Sequence, residues 1–326
     1  MYALTSKKLF NFEIQFVILG GLFLIIPFIF FYDGLFNLKK EGISWYFWTN
    51  ALVSSPHVHA TYVRLQGEIS SKHVSFFWGV PAYLLCAILL WYFYQKGLYV
   101  EAITFINVWQ SYHYLRQTYG VHRYFIKKEN EELNYKRMMF WAFHLPMPYL
   151  ILGRWHTLHQ AWGGRVYNYL KPVLFPEFLM NFLFVIFILA VFLGLIIEIK
   201  RSLKLQKFEN LLIFVAFIGI HYYGFVMLKH FHRGFLAVTL FHAVQYLAFV
   251  WIFEKKRRAN TFFGKMFTQK FAVFFLCLLI WAYPVENYAI PYFDYYIDNF
   301  ALFMLWAISL HHYMVDGLIW KQKAIG

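Results

Sequence analysis

The sequence predicts an all-α, polytopic integral membrane bundle of about ten transmembrane helices, with both termini on the cytoplasmic side. Three observations carry that prediction. Hydrophobic residues make up 61% of the chain and charged residues only 14%, against roughly 25% charged in an ordinary soluble domain. Apolar stretches of about the length that crosses ~30 Å of hydrocarbon recur from end to end. The basic residues fall in short clusters between those stretches, mostly on one side.

Taken in order, the expected spans are about 13–32, 45–65, 73–94, 98–125, 138–152, 178–198, 209–228, 235–253, 270–284 and 299–320. The first stretch has no small-residue cleavage site after it and is read as a retained span. The second contains Pro56 and several polar groups, as a helix lining an interior should. The fifth is short and ends in the Pro146/Pro148 pair, which predicts a kink or a half-buried segment. An outer loop over about 153–177 is expected to lie on or dip into the membrane surface. No soluble domain fits between spans, so residues 1–326 read as one transmembrane domain.

Placing the N-terminus inside and alternating sides puts 21 of the 30 Lys and Arg residues in inner segments and eight in outer ones. The last connecting loop, with Glu286, Asp294 and Asp298, has no cation and falls outside. Both outcomes obey the positive-inside rule. The net charge of +14 therefore reflects topology and contact with anionic lipid rather than nucleic-acid binding. Cys86 and Cys277 both lie in apolar segments, where their spacing suits neither a disulfide framework nor a zinc knuckle.

Ionisable side chains within spans are costly and so mark function. The second span carries His57 and His59, and the fourth His113, Arg116, Gln117 and His122. His144 lies in the fifth, His221 in the seventh, and His242, Gln245 and Tyr246 in the eighth. The tenth carries His311, His312 and Asp316. Counted at about 1.5 Å per residue from the inner ends, His57, His113, His242, His311 and His312 fall near the middle of the bilayer. His122 and Asp316 lie nearer the cytoplasmic face. Imidazoles at one depth on several helices are what a metal site in a helix bundle requires.

Local spacing refines the set. His113 and Gln117 share a helical face, as do His312 and Asp316, each pair four residues apart. His57 and His59 are two apart and point in nearly opposite directions, so at most one faces the centre; Pro56 favours His57. The expected metal ligands are thus His57, His113, His242, His311 and His312, with Tyr246, Gln117 and Asp316 as the catalytic candidates. His59, His122, His144 and His221 stay open as further members. A lone intramembrane histidine more often bridges two helices by a hydrogen bond. His156 and His159 sit far from the central level, and His230 and His232 flank a turn.

Imidazole with carboxylate suits iron, zinc, copper or nickel, and a mixed His/Asp shell with open positions is the pattern of non-haem iron oxygenases. The abundant Phe, Tyr and Trp would give an apolar chamber for a lipophilic substrate, a lipid or an isoprenoid, arriving from the bilayer. Haem held by two facing histidines and a proton- or metal-coupled transporter are the alternatives.

The ordered segments PHVHATY, HYLRQTYG, FHAVQYL and HHYMVDGLIW resemble those of histidine-rich bacterial membrane proteins grouped with the Brp/Blh carotene dioxygenases. The resemblance implies a multi-helix membrane fold, iron held at His57, His113, His242 and His312, and oxidative cleavage of a carotenoid. The H-G-x-x-D type motif of that family's early helix is missing here, PHVHATY standing near its place without an acid. The H-x-x-x-H and H-x-x-H-H boxes of membrane desaturases are missing too.

Overall fold

The computed structural model describes residues 54–70, 74–128, 132–161, 175–228, 231–257, 270–284 and 300–319. Among them the architecture is all-α, with no strand. The expected first span lies outside the described residues, as do the start of the second and the last connecting loop. Three described helical segments are long and apolar enough to cross a membrane: Glu177–Leu205, Glu209–Met227 and Ala237–Lys255.

Helix α1 (Ser55–Ser70) takes Pro56 as its second residue, where a missing N–H costs little. A single 3₁₀ turn (Phe76–Trp78) leads into α2 (Val80–Gln95). The α2 helix closes on Gly97, whose φ of +69° is left-handed. Leu98 N–H then bonds Phe93 O at 2.9 Å and Gly97 N–H bonds Tyr94 O at 2.9 Å, satisfying the last carbonyls before α3 (Tyr99–Lys128) begins.

The expected fifth span divides in two. Helix α4 (Leu133–His144) ends at Leu145, and α5 (Pro146–Ala161) starts on the proline, which has no N–H to continue the ladder. The α5 helix also runs through the first part of what the sequence reads as an outer loop. Arg154 and Trp155 explain the correction: both are buried, so this stretch packs inward as a helix face.

Helix α6 (Glu177–Leu205) follows Pro176 and is the most apolar of the three long segments. Its side chains Phe178, Phe182, Val185, Leu189, Phe192 and Leu193 are all exposed, a continuous apolar face of the kind that meets lipid. Helix α7 (Glu209–Tyr222) passes into a π-helical turn (Tyr223–Met227). That turn crosses α8 (Phe231–Arg257) at Gly224 and Gly234, where a Cβ on either residue would collide with the other's backbone. Helices α9 (Phe271–Pro284) and α10 (Phe300–Ile319) complete the described chain.

Burial sorts the long segments by place. In α6 22% of the apolar window is buried, in α7 and its π turn 50%, and in α8 89%. The α8 helix is therefore central and packs on α1, α3, α7 and α9. Helix α10 packs on α1, α2 and α3. The contacts α1–α8, α8–α3, α3–α10 and α10–α1 close a ring of four helices. Four buried histidines, one from each helix, are gathered inside this ring.

Candidate metal centre

Each helix of the ring supplies one histidine to its axis: His57 from α1, His113 from α3, His242 from α8 and His312 from α10. All four are buried, and one ligand atom from each lies within 4.8 Å of the others. The group could hold a metal ion. These four belong to the five expected ligands, and the two segments farthest apart in sequence, around His57 and His312, meet here. His57 faces inward and His59 does not join the group, as the two-residue spacing requires.

The nitrogen contacts are unusual for imidazoles that only pack. His57 Nε2 lies 3.0 Å from His312 Nε2 and 3.1 Å from His242 Nε2. An imidazole nitrogen has either one N–H or one lone pair, so His57 Nε2 can make one good hydrogen bond, not two. A cation removes the conflict, because all the nitrogens then offer lone pairs to it. The separation is close to the roughly 3.3 Å expected between ligands of a tetrahedral ion with bonds of ~2.0–2.1 Å. His57 Nδ1, His242 Nδ1 and His113 Nε2 are buried without a hydrogen-bond partner. Ring nitrogens crowded Nε2 to Nε2, on imidazoles whose remaining polar atoms are largely unpartnered, fit an ion better than they fit a packed core.

Behind His312 stands a hydroxyl pair. Thr61 Oγ1 is 2.8 Å from His312 Nδ1, 2.7 Å from Tyr246 Oη and 3.2 Å from Asp316 Oδ1. Tyr246 donates to Asp316 Oδ1 at 2.6 Å. With Asp316 ionised, the Thr61 proton goes to the carboxylate or to Tyr246, and its lone pair receives Nδ1–H of His312. That assignment leaves His312 Nε2 unprotonated and facing the other histidines, the usual way a supporting group orients a ligand ring. Asp316 Oδ2 also lies 3.8 Å from His113 Nε2. Thr61 is the residue that sequence reading passed over. Its signal was present, since it stands four residues after His57 on the same face of α1.

The other expected residues separate by position. Tyr246 and Asp316 lie directly against the group, the Tyr246 ring 4.7 Å from that of His57. Gln117 instead donates through Nε2 to the backbone carbonyl of His242 at 2.9 Å, tying α3 to α8. His311 is a correction to the ligand set. One residue from His312, it turns out of the ring, its Nε2 donating to Trp78 O at 2.8 Å and its Nδ1 3.2 Å from Tyr62 Oη. Adjacent residues diverge by about 100° on a helix, so both histidines could not face one ion.

None of the open candidates joins the group. His122 pairs with Glu198 at 2.7 Å. His144 Nδ1 donates to Phe140 O at 2.7 Å, and His221 Nδ1 donates to Phe217 O at 2.7 Å. His59 packs edge-on to Tyr62. The side chains of His159, His230 and His232 lie outside the described residues.

Aromatic rings wall the site: Tyr114 packs 4.2 Å from the His242 ring and Tyr313 4.7 Å from that of His113. A narrow cleft of about 20 Å³ between α3 and α10 reaches His113, the one histidine of the four that lines it. Trp109, Tyr112, Arg116 and Tyr313 line it beside His113 and Asp316.

The chain matches no protein-family model, and neither the curated proteins nor the solved structures yield a match. The site's own chemistry therefore carries the functional reading.

Proposed function

We propose that this chain is a multi-pass membrane protein housing a metal-dependent oxidoreductase, a non-haem iron oxygenase acting on a lipophilic lipid or isoprenoid substrate. The observation that carries the reading is the convergence of His57, His113, His242 and His312 from four helices on one buried point. The exposed apolar faces and the inward bias of basic residues support about ten spans with cytoplasmic termini. The resemblance to the Brp/Blh carotene dioxygenases falls on segments that contain these same four histidines.

His57, His113, His242 and His312 would hold the ion, with Asp316 close enough to temper its charge. Iron at this point would supply dioxygen chemistry. The chain's contribution is placement and proton control. Thr61 fixes the tautomer of His312, and Gln117 holds the α8 backbone at His242. Tyr246 and Asp316 form a hydroxyl–carboxylate pair that can take or give a proton beside the reacting atoms. The aromatic walls keep water out and leave the cleft between α3 and α10 as the substrate's approach.

Haem is a weaker reading on geometry. A macrocycle needs a flat gap between two axial imidazoles, whereas His57 Nε2 stands within 3.1 Å of two other ring nitrogens. A transporter would relay protons or ions along a path, and these imidazoles gather at a point.

Metal analysis of the detergent-purified protein, expressed with iron and zinc supplied, tests the proposal. About one equivalent of iron is expected, together with oxygen consumption on addition of a lipophilic substrate. Less than a few tenths of an equivalent of any transition metal would overturn it, and a Soret band would move the assignment to haem.

A further inference from the structure

Arg116 has no role in holding the four histidines, yet it lines the cleft that leads to them. It stands 12 residues before the end of α3 at Lys128 and 17 after its start at Tyr99, hence about 18 Å from the nearer end at ~1.5 Å per residue. In a spanning helix that depth is hydrocarbon, where an arginine is costly unless it serves a pathway or a ligand. It is also the one cation that alternating the sides of the spans assigns to neither face of the membrane.

Asp316 lines the same cleft, but Arg116 is not paired with it. Arg201 lies 4.0 Å from Glu198, and Arg154 donates to Ser111 at 2.5 Å. Among the described residues Arg116 has no ion pair or hydrogen bond. Its one close company is the face of Tyr112, 5.9 Å from the guanidinium carbon. Opposite it on α10 is Gly317, where even a Cβ would stand 3.7 Å from Nη1, so the glycine leaves the guanidinium room. The Asp316 carboxylate in the same cleft gives Oδ1 to Tyr246 and Thr61, and its Oδ2 lies 3.8 Å from His113 Nε2. A guanidinium fork beside the aromatic walls of Trp109, Tyr112 and Tyr313 suits one ligand chemistry: an acidic headgroup on an apolar chain.

We infer that the cleft between α3 and α10 binds the oxyacid headgroup of a single-chain lipid, a carboxylate or a phosphate monoester, through Arg116. The inference rests on the oxygenase reading only for its consequence. Arg116 lies one turn from His113, so the acid end of the substrate, not its tail, is held next to the four histidines. A hydrocarbon carotene would not use this arginine.

The test is retention of radiolabelled lipids by the full-length chain immobilised in dodecyl maltoside, with oleate, oleoyl lysophosphatidate and oleyl alcohol compared. Wild-type protein should retain one of the two acids at least about tenfold better than the alcohol, and the preferred acid identifies the headgroup. Arg116→Gln should reduce that preference to within about twofold, and Arg116→Lys should keep part of it. Equal retention of acids and alcohol by the wild type, a comparison that needs no variant, would overturn the inference, as would an undiminished preference in Arg116→Gln. Each arm is run on chelator-treated and metal-loaded protein with metal content measured. An Arg116-dependent preference without metal keeps the headgroup site and removes the iron reading. Bound metal without a preference does the reverse.

Discussion

Two buried polar clusters share helix α3, and they are built on opposite plans. Around His122 the partners are unlike. His122 Nε2 meets Glu198 Oε1 at 2.7 Å, Tyr135 donates to the same oxygen at 2.5 Å, and Arg201 lies 4.0 Å from Oε2. Acid, base and hydroxyl complement one another and clamp α3, α4 and α6 together, with His122 Nδ1 and Glu198 Oε2 left without a hydrogen bond. At the other cluster the partners are alike. Four imidazoles face one another across α1, α3, α8 and α10, and His57 Nε2 cannot satisfy both of its close nitrogen neighbours at once. Complementary groups in a bundle make a clamp, while a convergence of like ligands makes a socket.

The largest expected effect breaks the clamp. Glu198→Ala leaves His122 and Arg201 without their carboxylate and should cost about 3–5 kcal/mol in detergent-based unfolding, as removing one partner of a buried pair generally does. Metal bound per folded molecule should not change. A Glu198→Ala protein that folds as well as wild type would erase the distinction between the clusters.

The reciprocal change empties the socket. Replacing His312 or His57 with Ala should lower metal affinity by more than roughly 100-fold, beyond the 10–100-fold typical of a supporting residue. Measured without metal, the stability of these variants should match or exceed that of wild type, because each relieves a crowded set of imidazoles. Unchanged metal content would remove the altered residue from the ligand set.

Thr61 sharpens the comparison at intermediate size. Thr61→Val keeps the shape but removes the acceptor for His312 Nδ1–H, and should weaken metal binding by about 10–100-fold. Thr61→Ser restores the hydroxyl and should recover most of it. Equal losses in both variants would show that packing, not the hydrogen bond, matters at this position. His311→Ala is expected to have the smallest effect. It removes a hydrogen bond to Trp78 O, worth about 1 kcal/mol, and should leave metal stoichiometry at the wild-type value.

Much of the site is legible in the sequence. The shared depth of His57, His113, His242 and His312 follows from counting along apolar stretches, and depth is fixed by local helix rise. The choice of His57 over His59 follows from helical periodicity. What periodicity could not decide is which face of a helix meets which neighbour. His311 and His312 both sit at the right depth, and only the packing of α10 against α1 and α3 turns His312 inward. His122 looked like a candidate for the same centre until Glu198, 76 residues away, proved to be its partner.

By itself the sequence determined that hydrophobic helices dominate this chain, and it leads us to expect His57, His113, His242, His311 and His312 at one level, because span length and helical rise are local properties. Only the tertiary structure decided that α1, α3, α8 and α10 close into a ring, that Thr61 stands behind His312, and that α5 packs inward instead of running as a loop. Those outcomes depend on contacts between residues as far apart as His57 and His312, and no local pattern encodes the direction from which a distant helix arrives.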